Sequence, residues 1–310
     1  MPCTTNNLSG VLVVDKPAGI SSAKVVAIVK KALSAKKAGH AGTLDPFATG
    51  VLVCCINDAT RLARFFLHDK KKYIALLHLG IETDTQDSTG AVTSTCKESD
   101  FSENTIRSVF KKFEGAIKQK PPVYSALKHK GVPLYKLARQ GKPVQKPARS
   151  VFISYIDILE INLPFVRFEV LCSSGTYIRT LCSDIGTALG CGGHLKELRR
   201  TESSGFSTRE AVTLSEVDEL SAAGKLSDRL IKMSDALECM PGFIANNDLT
   251  KKIFHGSIIT GNDIALSLVK NQSCYQKGFF KVLDSNNHLL SVLNYDQEKN
   301  RFKYCCVFHK

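Results

Sequence analysis

One carboxylate, Asp45, stands in a glycine-rich stretch, residues 39–50, that reads GHAGTLDPFATG and runs straight into the apolar residues 51–56. The glycines let the backbone take positive φ and approach a ligand closely. Pro46 confines Asp45 to extended geometry, so the acid is presented from a stiff loop. The apolar run reads as a buried strand that anchors it. A carboxylate so placed can act as a nucleophile or a base; the same residue can equally serve as the cap of a turn. Arg179 follows Gly175 in what reads as the first turn of a helix. It can reach back to an acid such as Asp45 and keep it ionised, or lie exposed on its helix. Tyr73 and Tyr177 are each either core aromatics or faces on which a nucleobase stacks. His40, five residues before Asp45, can cap the loop or wedge against RNA. Asp84 and Asp87 lie in the polar run 83–90 and read as turn residues.

Other chemistries lack their templates. The eight histidines form no H-x-x-x-H pair, and no C-x-x-C occurs. No G-x-S-x-G, P-loop or dinucleotide fingerprint is present either. An enzyme built on Asp45 is therefore expected to need no cofactor and no metal. Eleven scattered cysteines, an odd number, point to reduced thiols and a cytoplasmic setting rather than a disulfide scaffold. Residues 1–7 have neither a basic nor an apolar run, so no secretory signal is expected, and no apolar stretch is long enough to span a membrane.

Charge supplies the partner. The chain of 310 residues carries a net +13, which favours a polyanion. Between residues 110 and 150 eleven lysines and arginines, Lys128, Lys130 and Lys142 among them, face a single acid, Glu114. A charge run often marks a solvated face. Here prolines, glycines, Tyr124 and Tyr135 are interleaved with it, which suits an RNA backbone.

The elements that must hold these residues can be placed. Residues 10–15 read as a buried strand, and Ser21 or Ser22 caps a helix with apolar residues at helical spacing. A helix is expected from 58 to about 68, a strand over 71–80, a turn at 83–90 and a partner strand over 91–96. A helix over 102–113, strands over 151–161 and 165–172, and a helix opening at 175–181 follow. The chain continues through residues 193–200, and a helical tail is expected from there to about residue 240. Pro241-Gly242 breaks the pattern, and the remainder reads as short strands and turns. Strands and helices do not alternate strictly, so an α+β fold on a mixed, mainly antiparallel sheet is expected, divided into residues 1–241 and a small β-rich unit, 242–310.

Several stretches together resemble the TruB-type pseudouridine synthases: VVDKPAGISS at 13–22, GHAGTLDPFATGVL at 39–52, KKY at 71–73, LGIETDTQD at 79–87, PPVYSALK at 121–128, SGTYIRTL at 174–181 and LRRT at 198–201. The resemblance implies a pseudouridine synthase fold with a PUA-like C-terminal domain. It implies an enzyme that isomerises one uridine in the T arm of tRNA, position 55, as a cytoplasmic monomer without cofactor or metal. Residue by residue, Asp45 matches the essential aspartate, Arg179 the arginine paired with it, and Tyr73 the tyrosine that stacks on the flipped base. His40 matches the histidine that fills the gap left by that base. Tyr177 and Leu198 match residues of the uracil pocket. Lys16 and Pro17 match a motif supporting the loop, with Lys16 also counted at the RNA. Residues 124–146, with Lys128, Lys130 and Lys142, match a mobile clamp over RNA. The chain departs from the family at Ser203-Ser204-Gly205-Phe206, where members often read SGPF, and at Ala41, where threonine is frequent. Two other functions fit the bare pattern: a non-catalytic RNA-binding or RNA-folding protein, for which Asp45 is dispensable, and a nucleoside hydrolase, which needs a second carboxylate from Asp84 or Asp87.

Overall fold

Apolar alternation builds the sheet that carries the loop. The computed structural model describes residues 8–97, 100–264 and 278–309; residues 1–7, where no secretory signal is expected, lie outside them. In chain order come β1 (Gly10–Lys16), α1 (Ser22–Ala32), β2 (Ala38–His40), β3 (Thr49–Ile56), α2 (Ala63–Leu67) and β4 (Lys71–Leu79). Next are the hairpin β5 (Ile81–Thr83) and β6 (Val92–Thr95), then α3 (Glu103–Lys111) and β7 (Gly115–Gln119). The basic segment folds as β8 (Lys128–His129), β9 (Val132–Pro133) and α4 (Leu134–Arg139). It returns to the body as β10 (Arg149–Asn162), β11 (Phe165–Cys172), α5 (Ile178–Leu189), β12 (Gly193–Ser203), β13 (Phe206–Ser207) and α6 (Leu214–Ala222).

The large sheet has the order β1-β3-β12-β4-β11-β10-β7, with β2 beside β3 and β13 beside β12. Its pairs are antiparallel except β3 with β12. The fold is α+β on a mixed sheet. Strict alternation along β4 turns Tyr73, Ala75 and Leu77 to one buried face, where Ile106 and Phe110 of α3 and Leu181 and Ile185 of α5 cover them. The rest of the chain forms β14 (Gly242–Ile244), α7 (Asn247–Phe254), β15 (Ile259–Thr260), β16 (Phe279–Leu283), β17 (Leu289–Asp296) and β18 (Arg301–Val307). These strands make a second sheet, β14-β16-β17-β18-β15, around Leu249, Ile253, Phe280, Leu293 and Phe302. It sits against the body through Arg61 and Arg64, which donate to the Val307 and Cys305 carbonyls, and through Phe65 edge-on to Phe279. Among the described residues no helix is long and apolar enough to cross a membrane.

Two helical expectations need correction, and residues 193–200, given no element along the chain, take one. Residues 193–200 form most of β12, a central strand, although Lys-Glu-Leu-Arg-Arg is a run of good helix formers; pairing on both sides overrides that preference. The helical tail shrinks to α6 and short 3₁₀ turns, while β12 and β13 occupy its start. Residues 57–62 are likewise a 3₁₀ turn ahead of α2.

One row across the sheet runs directly beneath the Asp45 loop. Lys16 of β1 lies opposite Gly50 of β3, Gly50 opposite Arg200 of β12, and Arg200 opposite Tyr73 of β4. Gly50 sits at φ +103°, and a Cβ there would overlap the Arg200 carbonyl oxygen. Only glycine lets β3 and β12 approach so closely. Gly50→Ala is expected to cost roughly 3 kcal/mol or more in urea unfolding; a variant of unchanged midpoint would show that the strands can part without penalty.

Candidate active site

The Asp45 loop is held from beneath at four places. The Ser22 hydroxyl accepts from the Leu44 amide and donates to the Leu44 carbonyl, both at 2.9 Å. Lys16, fully buried, donates from Nζ to the Pro17 and Pro46 carbonyls at 2.8 and 3.0 Å. Arg200, 1% exposed, donates from Nε to Val51 O at 2.7 Å and from Nη2 to Gly42 O at 3.0 Å. Residues 44 and 46 are thus both tied, and Asp45 stands between them. Burial draws the Lys16 ammonium down to about 8, although neighbouring Asp45 favours its charge.

Arg179 reaches Asp45 from the first turn of α5. Its Nε lies 3.0 Å from Asp45 Oδ2 as an ion pair rather than an aligned hydrogen bond, and Nη2 donates to Oδ1 at 3.4 Å. The same guanidinium donates to the Thr85 carbonyl at 3.0 Å and the Tyr124 carbonyl at 2.9 Å. Its Nη1 is also 3.5 Å from Asp87 Oδ2. Asp87 in turn is locked, since its Oδ1 accepts from Thr85 Oγ1, Thr89 N and Thr89 Oγ1 at 2.8, 2.9 and 2.6 Å. Expected to be a turn residue, Asp87 is therefore also a buried second partner of the arginine.

The pairing expected of Asp45 and Arg179 forms, but its electrostatic outcome differs from expectation. Although 35% of the Asp45 side chain stays open to the cleft, loss of water around the carboxyl is the largest influence and pushes it above the ordinary aspartate range. The Arg179 charge opposes this, Asp87 adds to it, and the Arg179 hydrogen bond and Lys16 pull back further.

A cleft of about 320 Å³ opens over the acid, within the usual range for small-ligand sites. Asp45, Tyr73, Tyr177, Arg179 and Leu198 line it, and Ser125, Ala126 and Leu127 of the basic segment form part of its wall. Tyr73 is 9% exposed, and burial raises its phenol, to which Arg200 hydrogen-bonds. The Gln119 amide accepts from Tyr177 N at 2.7 Å and donates to Tyr177 O at 2.9 Å, fixing the residue that precedes α5.

The remaining candidates lie elsewhere. His40 is on β2 and does not line the cleft; burial, then Arg200, lowers its imidazole, and its Nδ1 is buried without a partner. Lys16, counted at the RNA, is an internal support of the loop, because its ammonium is spent on backbone carbonyls. Lys128, Lys130 and Lys142 are exposed on the basic segment. Gln119 and Arg200 escaped sequence reasoning, as did the loop tie made by Ser22, read only as a helix cap, and the arginine contact made by Asp87. Three of them sit inside the motif runs at 13–22, 79–87 and 198–201, the only signal available; Gln119 has none.

Residues 30–178 match the model of the TruB family pseudouridylate synthase N-terminal domain, and residues 179–238 match that of the tRNA pseudouridylate synthase B C-terminal domain. The chain belongs to the TruB family. It is similar to the tRNA pseudouridine synthase B of Alkaliphilus oremlandii, 46% identical over 82% of this chain and 84% of the relative. The corresponding figures for Syntrophotalea carbinolica are 43%, 83% and 84%. Among solved structures, a chain of a Cbf5-Nop10-Gar1 complex superposes with a TM-score of 0.76 at 31% identity, over 97% of this chain and 85% of that one. A chain of an H/ACA RNP bound to a substrate RNA containing 2′-deoxyuridine gives 0.72 at 28%, over 97% and 85%. The two TruB models meet inside α5, between Ile178 and Arg179, so their junction crosses the site rather than separating two folded units. In this TruB family member Asp87→Asn removes a like charge from Asp45 and Arg179→Gln an opposite one. The Asp45 carboxyl, followed by ¹³C NMR titration, is expected to move down in the first variant and up in the second; shifts of the reverse sign would break this network of charges.

Proposed function

We propose that this protein isomerises uridine to pseudouridine in tRNA, at position 55 of the T arm, with Asp45 as its catalytic group. One observation carries the reading: a single carboxylate, a guanidinium paired with it and an aromatic ring share one cleft, walled on one side by a lysine-rich segment. Family membership and the tRNA pseudouridine synthase B relatives support it. The reaction breaks N1–C1′, turns the uracil and joins C5 to C1′; the proton leaves C5 and one returns to N1, so nothing is added overall. The uridine first leaves its stack at a cost of a few kcal/mol, and stacking on Tyr73 returns ~1–3 kcal/mol of that. Asp45 then acts on the sugar as nucleophile or base, and both roles need the ionised carboxylate that Arg179 favours. Tyr177 and Leu198 flank the uracil. Residues 124–146 close on the backbone of the RNA, and residues 242–310 serve as the PUA-like extension beside a catalytic unit of residues 1–241.

The hydrolase reading requires a second free carboxylate in the cleft, and among the described residues Asp45 is the one acid that lines it. Asp87 is fully engaged, and Asp84 accepts from the Ala91 amide and the Tyr124 hydroxyl.

Asp45→Asn is expected to abolish pseudouridine formation on a tRNA transcript while leaving tRNA affinity within about threefold, a change below 1 kcal/mol. Normal product from that variant would defeat the proposal. Replacing Lys128, Lys130 and Lys142 together by alanine is expected to weaken binding and flatten the plot of log affinity against log salt by up to about 2. Turnover at saturating tRNA should stay near wild type, and an unchanged slope would remove these lysines from the RNA contact.

A further inference from the structure

Four cations line the cleft, and three of them each hold several acceptors within the protein. Lys71 donates to the carbonyls of Phe66, Leu67 and Asp69. Arg179 is spent on Asp45, Asp87, Thr85 and Tyr124, and Arg200 on Val51, Gly42 and Tyr73. The fourth is Arg149. Its guanidinium lies 5.0 Å from the centre of the Tyr177 ring, and one Nη donates to the Gly175 carbonyl. Its Nε is buried with no partner, and its other Nη carries no hydrogen bond among the described residues. Gly175, at φ +83°, has no side chain to hold the arginine off. Arg149 is also anchored: it is the first residue of β10, paired with Gln119 of β7, so it stands on the sheet rather than on the basic segment that precedes it.

We propose that Arg149 is a phosphate-binding residue, which takes a backbone phosphodiester next to the uridine that enters the cleft. This rests on the reading of the site as one for RNA. A flat guanidinium stacked on one face presents its edge N–H groups in the fork that suits a phosphate. An extruded nucleotide brings its negative charge into the cleft only through the phosphates on either side of it. Rigid attachment to β10 fixes where that phosphate sits, and hence how far the sugar lies from Asp45. The exposed lysines of the segment supply long-range attraction without that registry.

The test uses the Asp45→Asn protein, so that the RNA is not consumed, and a T-arm hairpin RNA. A single methylphosphonate linkage replaces the phosphate 5′ or 3′ of the target uridine. Neutralising one of the two linkages is expected to weaken binding about ten- to a hundredfold, and in Arg149→Gln, Asp45→Asn the same linkage should have no further effect. With the unmodified RNA, Arg149→Gln should make the salt dependence shallower by ~0.7–0.9, one contact's worth, and Arg149→Lys should restore most of that slope. Additive losses at both linkages overturn the proposal. So does a fall in turnover at saturation in Arg149→Gln with Asp45 intact and the slope unchanged, which would mean that Arg149 only seats Tyr177. Should Arg149→Gln fail to fold, Arg149→Lys and the linkage effect on the protein with Arg149 intact still decide, and no loss at either linkage overturns the assignment. A hairpin that binds without coupling removes the phosphate contact alone, whereas no binding, together with no pseudouridine from the protein with Asp45 intact, removes the proposed function with it.

Discussion

The structure turns on putting buried positive charge under one loop without stranding it. Lys16 and Arg200 lie in a single row across the sheet, and both are essentially inaccessible to water. Bare, either would cost several kcal/mol. Each instead donates to backbone carbonyls, and those carbonyls belong to the loop that bears Asp45 or flank it. Satisfying the cations and immobilising the loop are therefore the same set of bonds. Ser22 adds the last tie, one residue before the acid.

Asp45 is held in a balance rather than simply ionised. Desolvation raises its carboxyl, Arg179 lowers it, and Asp87 shares the guanidinium and pushes back. A carboxylate less stabilised than one in a plain salt bridge keeps more of its basicity and nucleophilicity. Two carboxylates on one arginine also fix the plane of the guanidinium more firmly than one would. The Tyr124 carbonyl completes that arrangement, so a residue at the start of the basic segment touches the group that orients the acid. Gln119 and Arg149, cross-strand partners where that segment leaves and rejoins the sheet, grip Tyr177 and Gly175 in the same way. The basic segment and the cleft that holds Asp45 are joined by short, direct contacts.

Much of the fold was legible along the chain. Strands β1, β3, β4, β10 and β11 follow apolar patterning, and Ser21 and Ser102 mark the starts of α1 and α3 by their side-chain caps. β12 was not legible, because its residues favour a helix and only its two neighbours make it a strand. At the site, Asp45, Arg179, Tyr73 and Tyr177 stood out by residue type and loop chemistry. Asp87 did not, since an acid amid threonines and glycine looks the same whether it closes a turn or a guanidinium.

Sequence by itself determined the chemistry on offer: one acid in a stiff glycine-rich loop, a strongly basic segment for a polyanion, and motif runs that single out a family. Tertiary structure decided which charges are available to a ligand. Lysine and arginine look alike in a sequence wherever they fall, but a cation's role depends on how many of its N–H groups the fold consumes. Lys16 and Arg200 are turned inward because the sheet register brings loop carbonyls to them, and Arg149 keeps donors toward the cleft because Gly175 and Tyr177 satisfy only part of it. That count is a property of packing, set by residues distant in the chain.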